Sequence, residues 1–264
     1  MNIKLIASDL DGTLLHNGAQ KVSPEIIDCI KELSNHGILF AAASGRQYAN
    51  LRRLFAPVQD DIAYICENGA LVMYQDQIIS KSCIDRTVGL QLMEDIIDKG
   101  ACELLLSGQT TSYVQPKNPY FAYFLEHIVH NNVTVVEDFH SVDEPFFKIS
   151  ICEETGVAEN SGPFFIDKWG STLKATISGY EWLDFTHPDT NKGNALLSLC
   201  EHLKVTPDHV MAFGDNYNDI EMLTTAKYGY VMDGAKEDIK SLTTYHTASV
   251  EQTIQEFLLK NRDQ

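Results

Sequence analysis

What this chain lacks narrows its possible roles. No apolar run approaches the roughly 20 residues of a membrane-spanning helix. Basic residues are scarce, 20 Lys and Arg against 37 Asp and Glu, so the formal charge is −17. Such a surface repels phosphate backbones and anionic headgroups, which argues against a general nucleic-acid or membrane-surface role. The six cysteines (Cys29, Cys66, Cys83, Cys102, Cys152, Cys200) include no C-x-x-C pair, and no His is spaced to complete a zinc site. They read as small core hydrophobes in a reducing compartment. The opening Met1-Asn2-Ile3-Lys4 leads straight into a strand pattern without the regions of a signal peptide. A cytoplasmic location is therefore expected. Internal repeats and low-complexity tracts are also missing.

What is present is a globular chain of 264 residues, 44% of them hydrophobic, ample for one large or two modest cores. Its first third alternates between two periodicities. Strand patterns at Lys4 to Ser8, Ile38 to Ala43 and Ile62 to Cys66 are separated by a helix from Pro24 and another around Gln47 to Leu54. Ser23 is placed to cap the first helix, Pro24 opens it, Ile26, Ile27, Ile30 and Leu33 form its apolar stripe, and Gly37 ends it. The alternation returns with an amphipathic Asn194 to Leu203, strands at Val210 to Phe213 and Tyr228 to Met232, and a helix over Val250 to Leu259.

The middle has another texture. Helices at Thr87 to Ile97 and Pro119 to His130 mix with strand patterns at Cys102 to Leu106, Thr111 to Val114, Phe146 to Ile151, Thr172 to Ile177 and Trp182 to Phe185. Hairpin-length links at Ser107-Gly108-Gln109 and Ser178-Gly179-Tyr180 point to an antiparallel sheet. The expected fold is α/β, a doubly wound, parallel, Rossmann-like core sheet with an inserted α+β domain. The core should span 1–82 and 188–264 and the insertion 83–187, with turn formers gathering near Ser82 and His187-Pro188.

The chemistry gathers where strands end. The first strand runs into Asp9-Leu10-Asp11-Gly12-Thr13, another into Ser44-Gly45-Arg46, and a third into Gly214-Asp215-Asn216-Tyr217-Asn218-Asp219, while Asn191-Lys192-Gly193 precedes a helix. Each alone reads as a turn, a cap or a surface charge. Together they lie at the carboxyl ends of parallel strands, where open α/β sheets bind ligands. They also supply what phosphoryl transfer requires. A phosphate nearing a carboxylate nucleophile is repelled unless a divalent cation, a fixed ammonium and hydrogen-bond donors offset the charge. Asp9 and Asp215 could hold Mg²⁺, Lys192 could meet the phosphate, and Ser44, the amides after it and Asn218 could bind the remaining oxygens.

In this order the four motifs resemble those of the haloacid dehalogenase superfamily of phosphohydrolases, across nearly the whole chain. An insertion after the third core strand is similar to the Cof-like branch with its large α/β cap. Ser44-Gly45-Arg46-Gln47-Tyr48 and Glu67-Asn68-Gly69-Ala70 resemble its sugar-phosphatase members. The resemblance implies that Asp9 forms an aspartyl phosphate and that Asp11 is the general acid and base. It implies phosphate binding by Leu10, Ser44, Gly45, Lys192 and Asn218. Mg²⁺ would be held by Asp9, Asp215 and the Asp11 carbonyl, with Asp219 steadying its water shell, and Thr13 fixing the turn. The implied reaction is hydrolysis of small phosphomonoesters, sugar phosphates ahead of phosphorylated cofactors. A phosphomutase using the same intermediate and a non-catalytic sugar-phosphate sensor are the alternatives. The substrate is the expected partner, and the chain could be a monomer or a weak dimer.

The departures from the branch are specific. Met232-Asp233-Gly234-Ala235 stands where Met-Gly-Asn-Ala is usual, and Asp233 either tunes substrate choice or caps a helix from Ala235 or Lys236, the reading preferred here. His187-Pro188-Asp189-Thr190 replaces a Pro-x-Gly hinge. His187 and His16 read as hinge and loop residues. Leaving-group contacts are expected from the inserted domain, near Gln109 to Tyr113 and at Ser178 to Trp182.

Overall fold

A computed structural model describes residues 2–16, 19 and 21–262. In chain order it places β1 (Leu5–Asp9), α1 (Pro24–Asn35), β2 (Leu39–Ala43), α2 (Tyr48–Leu54), β3 (Ala63–Cys66), β4 (Leu71–Tyr74) and β5 (Gln77–Lys81). There follow α3 (Arg86–Lys99), β6 (Glu103–Ser107), β7 (Ser112–Val114), α4 (Pro119–His127), β8 (Val133–Val135), β9 (Lys148–Cys152), α5 (Gly162–Trp169), β10 (Lys174–Ser178) and β11 (Trp182–Thr186). The last stretch holds α6 (Lys192–Leu203), β12 (Val210–Gly214), α7 (Ile220–Thr225), β13 (Tyr228–Met232), α8 (Glu237–Lys240), β14 (Tyr245–Thr247) and α9 (Val250–Arg262). Among the described residues no helix is long and apolar enough to cross a membrane.

The chain divides into two compact units, one made of residues up to Lys81 and from Asn191 onward, the other of Ser82–Thr190. The first is a doubly wound α/β unit with sheet order β14-β13-β12-β1-β2-β3-β4-β5. Strands β14 through β3 run parallel, and β4 and β5 add an antiparallel hairpin at one edge. Parallel strands are covered on both faces and so become apolar throughout. Leu5, Ile6 and Ala7 of β1 are fully buried. One sheet face carries Leu5, Ala7, Ala41, Ile65 and Val210 against Leu196 and Leu199 of α6 and Met222 of α7. On the opposite face α1 meets β2 and α9. Each buried Leu or Ile side chain contributes about 1.5–3 kcal/mol relative to exposure, so the central strands are the best fixed part of the unit. Helix α1 follows its sequence signals: the Ser23 hydroxyl accepts from the Ile26 amide, and Ile26, Ile27, Ile30 and Leu33 are buried.

The second unit is α+β, with sheet order β10-β11-β9-β6-β7-β8. All its pairings are antiparallel except β7 with β8. Helices α3 and α5 and the sheet enclose Leu92, Met93, Leu104, Ile149, Phe165 and Phe185, while α4 covers Leu105, Val114 and Cys152.

Several elements differ from the sequence reading. The β4–β5 hairpin escaped it because the turn residues, Gln75 and Asp76, adopt positive φ (50° and 56°) without a glycine to announce it. Helix α5 starts at Gly162-Pro163, a pair that reads as a break. Strands β8 and β14 are three residues each, too short for a periodic signal. Helix α4 stops at His127 rather than His130, which itself has φ 64°. Asp233 does not cap the following helix: α8 begins at Glu237, with Lys236 at the cap position and no side-chain cap hydrogen bond.

Candidate active site

Sheet register gathers the motifs. Asp9 at the end of β1 pairs with Ala43 of β2, so Ser44 emerges beside it on one side. On the other side Ser8 pairs with Phe213 of β12, whose next residues are Gly214 and Asp215. Lys192 is the first residue of α6, and the Asn191 side chain caps that helix by accepting from the Asn194 amide at 2.7 Å. Asp9 and Asp215, 206 positions apart, thus meet because neighbouring parallel strands end together.

Lys192 lies at the centre with no solvent exposure. Its ammonium donates to Asp9 Oδ1 at 2.5 Å and to Asp219 Oδ1 at 2.7 Å. The other Asp219 oxygen accepts from the backbone amides of Asp215 (3.0 Å) and Asn216 (3.1 Å), so this carboxylate anchors both the lysine and the loop after β12. Asp215 accepts from the Thr13 hydroxyl at 2.9 Å, tying the turn after β1 to the turn after β12. That turn needs Gly12: its φ is +96°, and a Cβ there would overlap the Asp215 carboxyl.

Asp9, Asp215 and Asp219 each offer a carboxylate oxygen within 4.8 Å of the others. Three carboxylates face one ammonium, and the imbalance is felt. Burial, then the Asp219 carboxylate, pushes the Asp9 carboxyl up to about 8 despite Lys192. Asp215 is also raised, chiefly by burial, although Thr13 opposes the shift. For Lys192, burial alone would lower the value, but the Asp219 and Asp9 carboxylates more than offset it and hold the ammonium protonated. A compact set of hard oxygen donors carrying surplus negative charge fits a divalent cation, which would favour the ionised carboxylates.

The remaining sequence-predicted residues sit around this centre. Leu10 is buried, and its carbonyl accepts from the amides of Thr13, Leu14 and Leu15, winding the chain into a tight turn. Ser44 is buried; its hydroxyl accepts from the Arg46 amide at 3.3 Å and its carbonyl from the Asn68 amide at 2.9 Å. The Asn218 amide group donates to Asn68 Oδ1 at 3.0 Å, and Gly45 lies against the same Asn68 side chain. Asp11 stands apart from the carboxylate cluster: its side chain is 57% exposed and is gripped by Arg46. In the second unit, Trp182 packs on Phe121, the Tyr180 hydroxyl donates to the Thr155 carbonyl, and Tyr113 packs against the unit's core. The His187 ring accepts from the Asp189 amide and so shapes its own turn, and His16 is exposed.

Three participants had no assigned role in the site: Arg46, Asn68 and, beyond fixing its own turn, Thr13. Arg46 and Asn68 lie within stretches that carried the family resemblance, but only the fold shows what they touch. Asn68 adopts φ 56°, in the left-handed region that Asn tolerates better than most residues.

Comparison with known proteins places the chain in a family. The sequence profile of the haloacid dehalogenase-like hydrolases matches residues 6–258. The chain is 24% identical over 249 residues to the 5-amino-6-(5-phospho-D-ribitylamino)uracil phosphatase YbjI of Escherichia coli, covering 94% of this chain and 92% of that one. A crystal structure of a Eubacterium rectale protein superposes with a TM-score of 0.89 at 28% identity, covering 97% of this chain and 100% of the other. The sugar phosphatase BT4131, of subclass IIB in the same superfamily, shares the fold with a TM-score of 0.79 at 22% identity, over 96% and 98% of the two chains. The chain belongs to the haloacid dehalogenase-like hydrolase family, and within it is a phosphatase.

Proposed function

We propose that the protein is a Mg²⁺-dependent phosphatase of small phosphomonoesters, sugar phosphates foremost, working through an aspartyl phosphate on Asp9. The observation that carries this reading is the buried Lys192 ammonium 2.5 Å from the Asp9 carboxylate at the end of the central strand. It fixes one Asp9 oxygen, leaving the other to attack phosphorus along a defined direction. A bond forms between that oxygen and phosphorus as the ester P–O bond breaks, and Asp11 gives its proton to the departing alkoxide. In the second half, Asp11 takes a proton from the water that attacks the acyl phosphate, which frees inorganic phosphate and restores Asp9. Lys192, the Ser44 hydroxyl, the amides of Leu10 and Gly45, and Asn218 would bind the phosphoryl oxygens. Asp9, Asp215 and the Asp11 carbonyl would hold Mg²⁺, with Asp219 supporting its waters. Once bound there, the cation neutralises charge between the nucleophile and the ester.

Sugar phosphates are favoured because the fold is shared with a sugar phosphatase and the Escherichia coli relative is named for a phosphorylated ribityl compound. The Ser82–Thr190 unit is proposed as a cap that supplies leaving-group recognition. The test is a panel of phosphate esters assayed with and without Mg²⁺. Metal-dependent phosphate release led by sugar phosphates and abolished in Asp9→Asn supports the proposal; ligand binding without turnover overturns it.

A further inference from the structure

Asp11 has its backbone fixed but its carboxyl exposed, a poor arrangement for a group that must deliver a proton to one atom. Its backbone bridges to Leu15, and the Gly12 amide donates to the Leu15 carbonyl at 2.9 Å. Its side chain projects from the turn toward solvent, where a short carboxylate can sample several rotamers. What restrains it is Arg46. The guanidinium donates from Nη2 to Asp11 Oδ1 at 2.6 Å and from Nε to Oδ2 at 3.0 Å, a two-pronged grip.

Arg46 is itself braced along its length. Its amide donates to the Ser44 hydroxyl, its carbonyl accepts from the Glu67 amide at 3.1 Å, and Nη1 reaches Asn50 Oδ1 at 3.4 Å. The residue is therefore a strut from the loop after β2 to the turn after β1. The Asp11 end of the pair is open to solvent, so screening limits what the pair adds to stability, while its two-pronged geometry fixes the direction of the carboxyl.

We infer that Arg46 is a positioning residue that sets the direction of the Asp11 carboxyl for proton transfer to the leaving group, an inference that rests on the acid–base reading of Asp11 above. The two bonds are unequal, and the division of labour follows. Nη2 keeps Oδ1 on the shorter bond, while Oδ2, on the longer one, turns from Nε, takes the proton of the water that attacks the acyl phosphate, and gives that proton to the leaving alkoxide in the next turnover. Arg46 itself gains and loses no proton.

Leaving-group dependence isolates this role. A p-nitrophenolate departs without protonation, whereas a sugar alkoxide requires it, and kcat/KM reports the steps through the first P–O cleavage. In Arg46→Ala, kcat/KM for the sugar phosphate turned over best should fall at least about tenfold more than for p-nitrophenyl phosphate, since positioned acid catalysis contributes ~10²–10⁴-fold. Arg46→Lys should show the same selective loss, because an ammonium cannot bracket both oxygens, and added guanidinium should restore part of the Arg46→Ala rate. In an Asp11→Asn background, Arg46→Ala should add no further selective loss. Equal losses on the two esters, or additive losses in the double variant, would overturn the inference. Should Arg46→Ala be misfolded by circular dichroism, Arg46→Lys carries the comparison. Asp9→Asn retaining wild-type turnover would instead strike the aspartyl-phosphate reading on which the role of Asp11 rests.

Discussion

Replacing Lys192 by Met should damage stability as well as activity, and by an amount the site geometry sets. The substitution keeps a chain of similar length and removes the ammonium between Asp9 and Asp219. Those side chains are 7% and 0% exposed, so water cannot replace the lost partner. Breaking a buried ion pair from one side typically costs about 3–5 kcal/mol, because the stranded charge keeps its desolvation cost. Here the Asp219 carboxylate is stranded, with Asp215 close by, whereas Asp9, already pushed up to about 8, takes up a proton instead. In a unit of this size 1 kcal/mol moves the melting point by about 2–4 °C, so the transition of the first unit should fall by roughly 6–20 °C at neutral pH. Lowering the pH should shrink the deficit, since protonation removes the uncompensated charge. Adding Asp219→Asn to Lys192→Met should recover part of it. Circular-dichroism melts and urea titrations at pH 5 and 7.5 provide the measurement. A Lys192→Met protein as stable as wild type at both pH values would refute the claim that this ammonium balances the buried carboxylates.

Thr13→Val removes the hydroxyl that orients Asp215 and should weaken the Mg²⁺ requirement curve by about 10-fold or more, as loss of partners behind a metal ligand usually does, with a smaller change in kcat at saturating metal; unchanged half-saturation would show that the 2.9 Å bond to Asp215 is incidental. Metal-free protein should also lose stability as pH rises. Asp9 is pushed from 3.8 to about 8, first by burial and then by Asp219, so the folded state keeps a proton that the unfolded chain has released. That contribution is complete below about pH 4 and is lost progressively up to about pH 8, at no more than ~1.4 kcal/mol per pH unit from this group. Saturating Mg²⁺ should flatten the slope, which thermal melts across pH 5–8 with chelator or metal will reveal; the same slope under both conditions would contradict the metal assignment.

The acids of the site were legible because parallel strands oblige the residues following them to converge, and D-x-D-G-T and G-D-N-Y-N-D stand at two such ends; Lys192, which opens α6, was legible only through its place in the ordered set of motifs. Helix α1 was equally legible, its Ser23 cap and apolar stripe being local signals. The contacts around the centre were not. Arg46 with Asp11, Asn68 with Asn218, and Thr13 with Asp215 join residues 35, 150 and 202 positions apart, and no periodicity encodes which loop faces which. The same limit applies to the β4–β5 hairpin, whose turn residues take left-handed conformations usually advertised by glycine. Asp233 shows the opposite error: an acid placed before a helix looked like a cap, yet α8 starts three residues beyond Gly234.

The most direct test of the central claim is to quench the enzyme in acid during turnover of a labelled phosphate ester and map where the label resides. An acid-stable, hydroxylamine-labile phosphoryl group on the peptide containing Asp9, absent from Asp9→Asn, is the predicted result. Label carried on any other residue, or steady hydrolysis by Asp9→Asn, would contradict it.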